Sequence, residues 1–293
     1  MNDRTGTPAS TAAARAIHVR PGVGVAAHVL QGRGLAILRM RTELPALILV
    51  DRGIKAVRTE RGAAVRARPG QAIVLAGHQT VDFTNSVPDG THYEARWLLF
   101  DPALLDDAYY RERAAQFDHA AAPVRLLAQV NTGLAQAFAR ATRALSPAAA
   151  IPDAVARQRV LEVLHWLLDA GIPVPNPPST PDMAVRLRAL IAGRLDHPWT
   201  AGRVAAALAL SEATLRRRLA AEGTSLTDVL VEARMATALT LLQATAQPVA
   251  DIALAVGYAS ASRFAVRFRQ RFGFAPTAVR GHERPLLTQG TSS

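Results

Sequence analysis

The chain has 293 residues, of which 49% are hydrophobic and none is cysteine, and its formal net charge is +11. This length suffices for two domains, each with a hydrophobic core. The lack of cysteine excludes disulfides and thiolate metal sites and fits a reducing cytosol. The positive charge is spread along the chain and favours a partner that carries phosphate.

The N-terminal end, residues 1–16, is polar and rich in alanine, and we expect it to be flexible. It lacks the apolar core of a signal peptide. No part of the chain reaches the roughly 18 uninterrupted apolar residues that a membrane span needs. The sequence therefore predicts a cytoplasmic protein with no membrane partner.

Residues 17–170 predict a β-domain followed by helices. Short apolar runs up to residue 100 are separated by Gly, Pro, Asn and Asp, as in a sandwich or small barrel. The stretch RPGQAIVLAGHQTVDFTN (68–85) resembles cupin-like sensor domains in its turns and strands. Two amphipathic helices are predicted at 122–143 and 152–170. They either pack on the β-domain or form a dimer contact.

Several polar and aromatic side chains of this domain are candidates to bind a small-molecule effector. They are His28, His78, His92, Tyr93, Arg96 and Trp97. The alternative for each is ordinary packing or solvent exposure. Cupin enzymes hold a metal with clustered His and Glu, but His78 stands alone in its strand region and no His-x-His pair occurs. We therefore predict no metal and no cofactor.

The clearest domain boundary is the stretch GIPVPNPPSTP at 171–181, which contains five prolines. Such a composition is typical of a stiff, extended linker. It separates the β-domain from a C-terminal all-helical domain at 182–286, which a short tail at 287–293 follows. The predicted fold class is therefore α+β.

The first part of the helical domain has the layout of a helix-turn-helix. Thr200 can cap a short apolar helix, and Ser211 can cap a second helix over 211–221. Leu215 and Leu219 face the core, so the opposite side of this helix is available to DNA. Its predicted DNA contacts are Ala213, Thr214, Arg216, Arg217 and Arg218, of which Arg216 and Arg217 are expected to read bases. An apolar helix at 226–242 follows.

A second copy of this layout occupies residues 248–280. Pro248 opens its first helix, Gly257 permits the turn, and Ser260 can cap a helix that runs to Phe272. Phenylalanines recur every four residues on one side of that helix, which carries four arginines and no acid. A cationic helix after a short helix is what reading of the major groove requires. The predicted contacts are Ser260, Ser262, Arg263, Arg267 and Arg269.

The duplicated unit resembles the AraC/XylS family of bacterial transcription regulators over residues 183–284. The matching residues are Trp199, Thr200, Ala205, Ser211, Leu215, Arg217, Gly223 and Ser225 in the first copy, and Ile252, Ala253, Gly257, Tyr258, Ser260, Ser262, Phe264, Phe268, Arg269, Gly273, Pro276 and Arg280 in the second. The family often has glycine where Ala209 stands and a basic residue where Val266 stands.

The resemblance implies a sequence-specific regulator of transcription, more often an activator than a repressor, that binds double-stranded DNA. It also implies RNA polymerase, a small-molecule effector and a second copy of the chain as candidate partners. Two alternatives stay open. One is a cupin-like enzyme with a helical tail, although neither clustered metal ligands nor a nucleophile–base pair is found. The other is a dimeric DNA-binding protein that needs no effector.

Overall fold

The protein is described by a computed structural model that covers residues 15–87, 91–117, 122–174 and 182–280. Nearly all of the predicted flexible N-terminus, positions 175–181 of the predicted linker and the tail 287–293 lie outside these residues. Within the described residues, no helix is long and apolar enough to cross a membrane.

In its described residues, the N-terminal domain has two antiparallel sheets and four helices. Its elements are β1 (Ala16–Arg20), β2 (Gly24–Gln31), β3 (Leu35–Thr42), β4 (Ala46–Arg52), β5 (Ile54–Thr59), β6 (Ala64–Ala67), β7 (Ala72–Leu75), β8 (Gln79–Ser86), β9 (Tyr93–Phe100), α1 (Pro102–Leu105), α2 (Ala108–Ala114), β10 (Val124–Leu127), α3 (Thr132–Leu145) and α4 (Asp153–Asp169). One sheet has the strand order β1-β2-β9-β4-β7-β10, and the other has the order β3-β8-β5-β6.

The central strand β4 is buried on both faces, because the six-stranded sheet lies between two apolar layers. Ile48 and Val50 belong to the cluster between the sheets. Leu47 and Leu49 belong to the cluster formed with α3 and α4. This alternation follows from the two-residue period of a strand. Burial on both faces explains why the sequence of β4 begins with five consecutive apolar residues.

The helix predicted at 122–143 is wrong in its first part. Residues 124–127 form the edge strand β10, which pairs with β7, and α3 begins only at Thr132. The Asn131 side chain caps α3 by accepting from the backbone N–H of Leu134 at 2.8 Å. Both α3 and α4 bury apolar faces against the sheet, so the packing interpretation is confirmed for those faces. The dimer contact stays a prediction.

The regular structure of the C-terminal domain is helical throughout the described residues 182–280. Its elements are α5 (Met183–Ile191), α6 (Ala201–Ala207), α7 (Glu212–Ala221), α8 (Leu226–Ala244), α9 (Val249–Ala255), α10 (Ala261–Phe272) and a 3-10 helix (Pro276–Arg280). Helices α6 and α7 form the first helix-turn-helix unit, and α9 and α10 form the second. The long helix α8 connects them, as the sequence predicted.

The two domains pack directly on each other. Apolar residues of the β-domain and of α8, α9 and α10 form one continuous cluster. Gln243 Nε2 donates to Gln31 Oε1 at 2.9 Å, and both side chains are buried. Other polar contacts join Gly32 to Val279, Leu38 and Arg39 to Arg271, and Glu43 to Arg188. In each of these contacts, the residue from the N-terminal domain lies within 31–43.

Candidate nucleic-acid interface

The first recognition helix, α7, is held by a side-chain cap and an apolar face. The Ser211 hydroxyl accepts from the backbone N–H of Thr214 at 3.1 Å. Leu215 and Leu219 are buried against Val204 and other core residues. The helix must therefore turn its other side outward. The predicted contact residues Ala213, Arg216, Arg217 and Arg218 are exposed there, and Thr214 is half-buried.

The arginines of α7 are not equivalent. Arg216 forms an ion pair with Glu212 one turn earlier, with a distance of 3.2 Å between Nη2 and Oε2. Among the described residues, no carboxylate lies within ion-pair distance of Arg217 or Arg218. The guanidinium of Arg217 therefore has no ion-pair partner among the described residues, whereas one nitrogen of Arg216 is engaged by Glu212. The sequence prediction had treated Arg216 and Arg217 alike.

The second recognition helix, α10, is anchored by its phenylalanine stripe. Phe264 and Phe268 are fully buried and Phe272 is nearly so, with ring centroids 5.5 and 4.7 Å apart along the stripe. Ser260 caps the helix by accepting from the backbone N–H of Arg263 at 3.4 Å. The predicted contacts Ser262, Arg263, Arg267 and Arg269 are exposed, and Ser260 is half-buried.

The fourth arginine of α10 points away from this surface. Arg271 is 15% exposed and pairs with Glu232 of α8, with its Nε 2.7 Å from Oε1. Its guanidinium also donates to the backbone oxygens of Leu38 and Arg39 in β3. Arg271 therefore joins the second unit to the N-terminal domain. Its position on the helix, between the exposed Gln270 and the buried Phe272, gave no clear sign of this.

An apolar depression lies on the exposed side of α10. It is lined by Val231, Tyr258, Ser262, Arg263, Val266, Arg267 and Gln270. Val266, at a position where the family often has a basic residue, is 59% exposed in the middle of this surface. A branched apolar side chain there is suited to contact a thymine methyl group.

Helix α8 connects the two helix-turn-helix units. It has 19 residues, which corresponds to a length of about 28 Å. The Ser225 hydroxyl caps α8 at its start by accepting from the backbone N–H of Asp228 at 3.2 Å.

The residue with a positive φ is different in the turns of the two units. Gly257 in the second turn has a φ of +82°, and an added Cβ would lie 2.5 Å from the backbone oxygen of Leu195. Ala209 in the first turn also has a positive φ, of 54°. Alanine is strained in this region, whereas glycine is not. The substitution noted at Ala209 thus carries a conformational cost.

Replacing Ala209 by glycine is expected to stabilise the protein, and replacing Gly257 by alanine is expected to destabilise it. Ala209→Gly removes the strain of the positive φ, and the greater backbone entropy of glycine in the unfolded chain offsets part of this gain. The net free energy of unfolding should rise by about 0.5–1 kcal/mol. Gly257→Ala adds both strain and a close contact and should lower it by about 2 kcal/mol or more. Urea denaturation measures both. Equal effects of one sign would contradict the assignment of the turns.

The candidate effector residues do not lie together. His28 and His92 contact the two oxygens of Glu94 at 2.8 and 3.4 Å, and Arg96 pairs with Asp51 at 2.7 Å. His78 lies 3.4 Å from Glu43. Tyr93 and Trp97 lie in the interior of the β-domain, beside Lys55. His28 and Arg96 lie opposite each other in the paired strands β2 and β9, so His28, His92 and Arg96 share one region and the candidates fall into three places. Their role in effector binding stays a prediction. In the described ranges, no group of three or more His, Asp or Glu is placed to hold a metal ion.

Lys55 is a buried residue that the sequence reading did not single out. It is 1% exposed, and its ammonium lies 4.1 Å from the centre of the Phe83 ring. It donates to Asn85 Oδ1 at 3.1 Å, and Asn85 donates to Gln31 Oε1 at 3.0 Å. Burial lowers the pKa of Lys55 to about 7. The available signal was that this lysine is the only one in a chain rich in arginine.

Known proteins resemble this chain in two ways, by sequence in the helical domain and by fold over most of the chain. A family model described as a helix-turn-helix domain matches residues 204–282, which include α7, α8, α9 and α10. The transcriptional regulator GadX of Escherichia coli O6:H1 is 36% identical over 97 residues, which are 33% of this chain and 35% of GadX. The C-terminal domain is an AraC-type helix-turn-helix domain. The family predicted for this region from the sequence is confirmed.

The matched segment spans about a third of the length of GadX. Outside the AraC-type domain, the comparison rests on solved structures. A structure of ToxT from Vibrio cholerae has a TM-score of 0.59 at 11% identity and covers 87% of this chain and 97% of its own. A second, of ToxT bound to an unsaturated fatty acid, has a TM-score of 0.56 at 10% identity and covers 91% and 99%. These show that a β-domain in front of an AraC-type domain is a shared fold, and the predicted α+β class is confirmed.

Proposed function

We propose that this protein is a sequence-specific DNA-binding regulator of transcription. The observation that carries the proposal is the pair of capped, exposed, arginine-bearing helices α7 and α10 within one AraC-type domain. Each helix buries one apolar face and presents the other to solvent. We expect helix α8, which connects the two units, to set their separation to that of two consecutive major-groove segments, roughly 34 Å.

The two helix-turn-helix units are expected to contribute differently to the recognition of DNA. Arg217, exposed and without a carboxylate partner among the described residues, is placed to make a bidentate contact with guanine. Arg218, Arg263, Arg267 and Arg269 flank the reading faces, where they are suited to contact phosphates. The backbone N–H groups at the start of each recognition helix add further phosphate donors. In α10, small and apolar side chains occupy the reading face, so it should read fewer bases than α7.

The central experiment selects bound fragments from the source genome with the full-length protein at physiological salt, with excess nonspecific competitor. A shared site that spans two major-groove segments is the expected result. No enriched site with folded protein, either full-length or as residues 182–293, would contradict the proposal. If residues 182–293 enrich a site and the full-length protein does not, the full-length protein requires an effector or a partner.

Arg217→Ala is expected to weaken binding to the selected site by roughly 1–3 kcal/mol and to relax the preference at one base position. The physical reason is the loss of both guanidinium donors to one base. Fluorescence anisotropy on the selected site and on its single-base variants measures the effect. Arg58→Ala, at an exposed position of β5, removes the same charge and should change neither affinity nor preference. An equal loss on all sequences would show that Arg217 contacts phosphate.

The N-terminal domain is proposed to sense a small-molecule effector and to form a homodimer. Its support is the shared fold with ToxT, for which a fatty-acid-bound structure exists, together with the extensive contact between its residues 31–43 and the AraC-type domain. We propose further that the protein acts in the cytoplasm as an activator that contacts RNA polymerase, and that it is not an enzyme. Transcription in vitro from a promoter that carries the selected site tests whether the protein activates or represses.

A further inference from the structure

The apolar depression beside α10 is built from three parts of the AraC-type domain. Helix α10 contributes Val266, α8 contributes Val231, and the turn before α10 contributes Tyr258. Val266 is 59% exposed, because its position between Phe264 and Phe268 lies on the opposite side of the helix from these buried rings. The methyl groups of Val266 therefore line the depression and do not fill the core.

Contacts with neighbouring side chains hold the walls of the depression in place. The centroid of the Tyr258 ring lies 5.7 Å from that of Phe264, and the guanidinium carbon of Arg234 lies 5.8 Å from the Tyr258 centroid. Helix α8 is tied to α10 by Glu232 and Arg271, with 2.7 Å between Oε1 and Nε. The depression is thus formed in the protein without DNA, so a contact within it requires little further ordering.

The depression is bordered by positive charge. Arg263 and Arg267 line it, and its lining contains no carboxylate. Neither arginine forms an ion pair with a described residue. Both are exposed and suited to contact phosphates, which brings the depression against the groove of DNA. This charge favours a nucleic acid over an apolar protein surface as the occupant.

A valine at position 266 restricts what this surface can read. A basic side chain there would donate to guanine O6 and N7. Valine carries neither a donor nor an acceptor, so it cannot distinguish O4 of thymine from the amino group on C4 of cytosine. It gains free energy only by burial of an apolar group. In the major groove that group is the methyl on C5 of a pyrimidine.

We propose that the depression at Val266 binds the C5-methyl group of a pyrimidine, supplied either by thymine or by 5-methylcytosine. Because the contact depends on the methyl group, methylation of a cytosine at this position should strengthen binding as a thymine does. The proposal rests on the proposed function, since it names what the second helix-turn-helix unit reads. Recognition of DNA by this protein then responds to cytosine methylation of its site.

The test measures the affinity of the full-length protein for variants of its selected site by fluorescence anisotropy. Each thymine of the site is replaced in turn by deoxyuridine, and each cytosine by 5-methylcytosine. At one position, the methyl group should strengthen binding about four-fold, which is the effect expected for burial of one methyl group. Where that position is a thymine, it is also replaced by cytosine and by 5-methylcytosine, and the methylated base should bind more tightly by a similar factor.

Two variants assign this methyl effect to the depression. Val266→Ala should reduce it to below about two-fold, since most of the apolar contact is lost. Leu254→Ala is the matched control, because it removes an aliphatic side chain that is 58% exposed on α9 and lies outside the lining. It should leave the methyl effect unchanged.

Two results would overturn the inference. One is equal affinity with and without the methyl group at every position of the site. The other is a methyl effect that is as large in Val266→Ala as in the unaltered protein, because another residue would then read the methyl group. A selected site that is bound without a methyl effect removes only the inference, whereas folded protein that enriches no site removes the proposed function.

Discussion

Phe268→Ala is expected to unfold the second helix-turn-helix unit and to abolish binding to the two-segment DNA site. Phe268 is fully buried and contacts Phe264, Phe272 and Phe274, with ring centroids at 5.5, 4.7 and 6.0 Å. Truncation of a core phenylalanine to alanine costs about 3–5 kcal/mol, through lost transfer free energy and the cavity left behind. The α10 stripe packs in one cluster with α8 and α9, so the loss of its central ring leaves a cavity in the core of the second unit.

Chemical denaturation and fluorescence anisotropy together measure this effect. Val266→Ala is the matched control on the same helix, because Val266 is 59% exposed. It should change the free energy of unfolding by no more than about 0.5 kcal/mol. Any effect of Val266→Ala should instead appear in the choice of bases. A Phe268→Ala protein with an unchanged free energy of unfolding would refute the core position of the stripe.

The free energy of unfolding is expected to rise with pH between 7 and 9 because of Lys55. The pKa of this residue is about 7 in the folded protein, against its ordinary value of 10.5. Between these values the unfolded chain binds one more proton than the folded protein. Stability therefore increases with pH in this window, by up to about 1.4 kcal/mol per pH unit. Below pH 7 the amine is charged in both states, and its full desolvation cost opposes folding.

Urea denaturation at pH 7, 8 and 9 measures this slope, and Lys55→Met should remove it. The chain contains one lysine, so a lysine-labelled sample gives a single side-chain resonance whose titration reports the pKa directly. Free energies of unfolding that rise equally in Lys55→Met would assign the slope to another group. A resonance that titrates near 10 would show that Lys55 is hydrated in solution.

The sequence was sufficient for the features that local signals determine. Ser211 and Ser260 identified the starts of both recognition helices, and the four-residue spacing of Phe264, Phe268 and Phe272 identified the buried face of α10. Caps and helical periodicity act within one or two turns, so a single chain displays them. The exposed positions on α7 and α10 followed from the same periodicity.

The features that the sequence did not reveal depend on partners distant in the chain. Gln31 and Gln243 are 212 positions apart, and Arg271 binds a strand more than 230 positions earlier. Nothing in the periodicity of α10 separates Arg271 from the arginines that face solvent. The candidate effector residues lie in different parts of the β-domain, because strand pairing and not spacing decides which side chains meet. The error at residues 124–127 arose because four residues of an edge strand also fit a helical pattern.

The contacts of residues 31–43 with the helical domain limit the exchange of parts between regulators. A chimera that joins residues 182–280 to an unrelated sensor would leave Gln243 without Gln31, Arg271 without the oxygens of Leu38 and Arg39, and Arg188 without Glu43. Each loss removes the present partner of a polar group at the domain boundary. Apolar residues of the β-domain outside 31–43 pack in the same cluster as α8, α9 and α10, so grafting the helical half onto another sensor must preserve both the polar and the apolar contacts across the domain boundary.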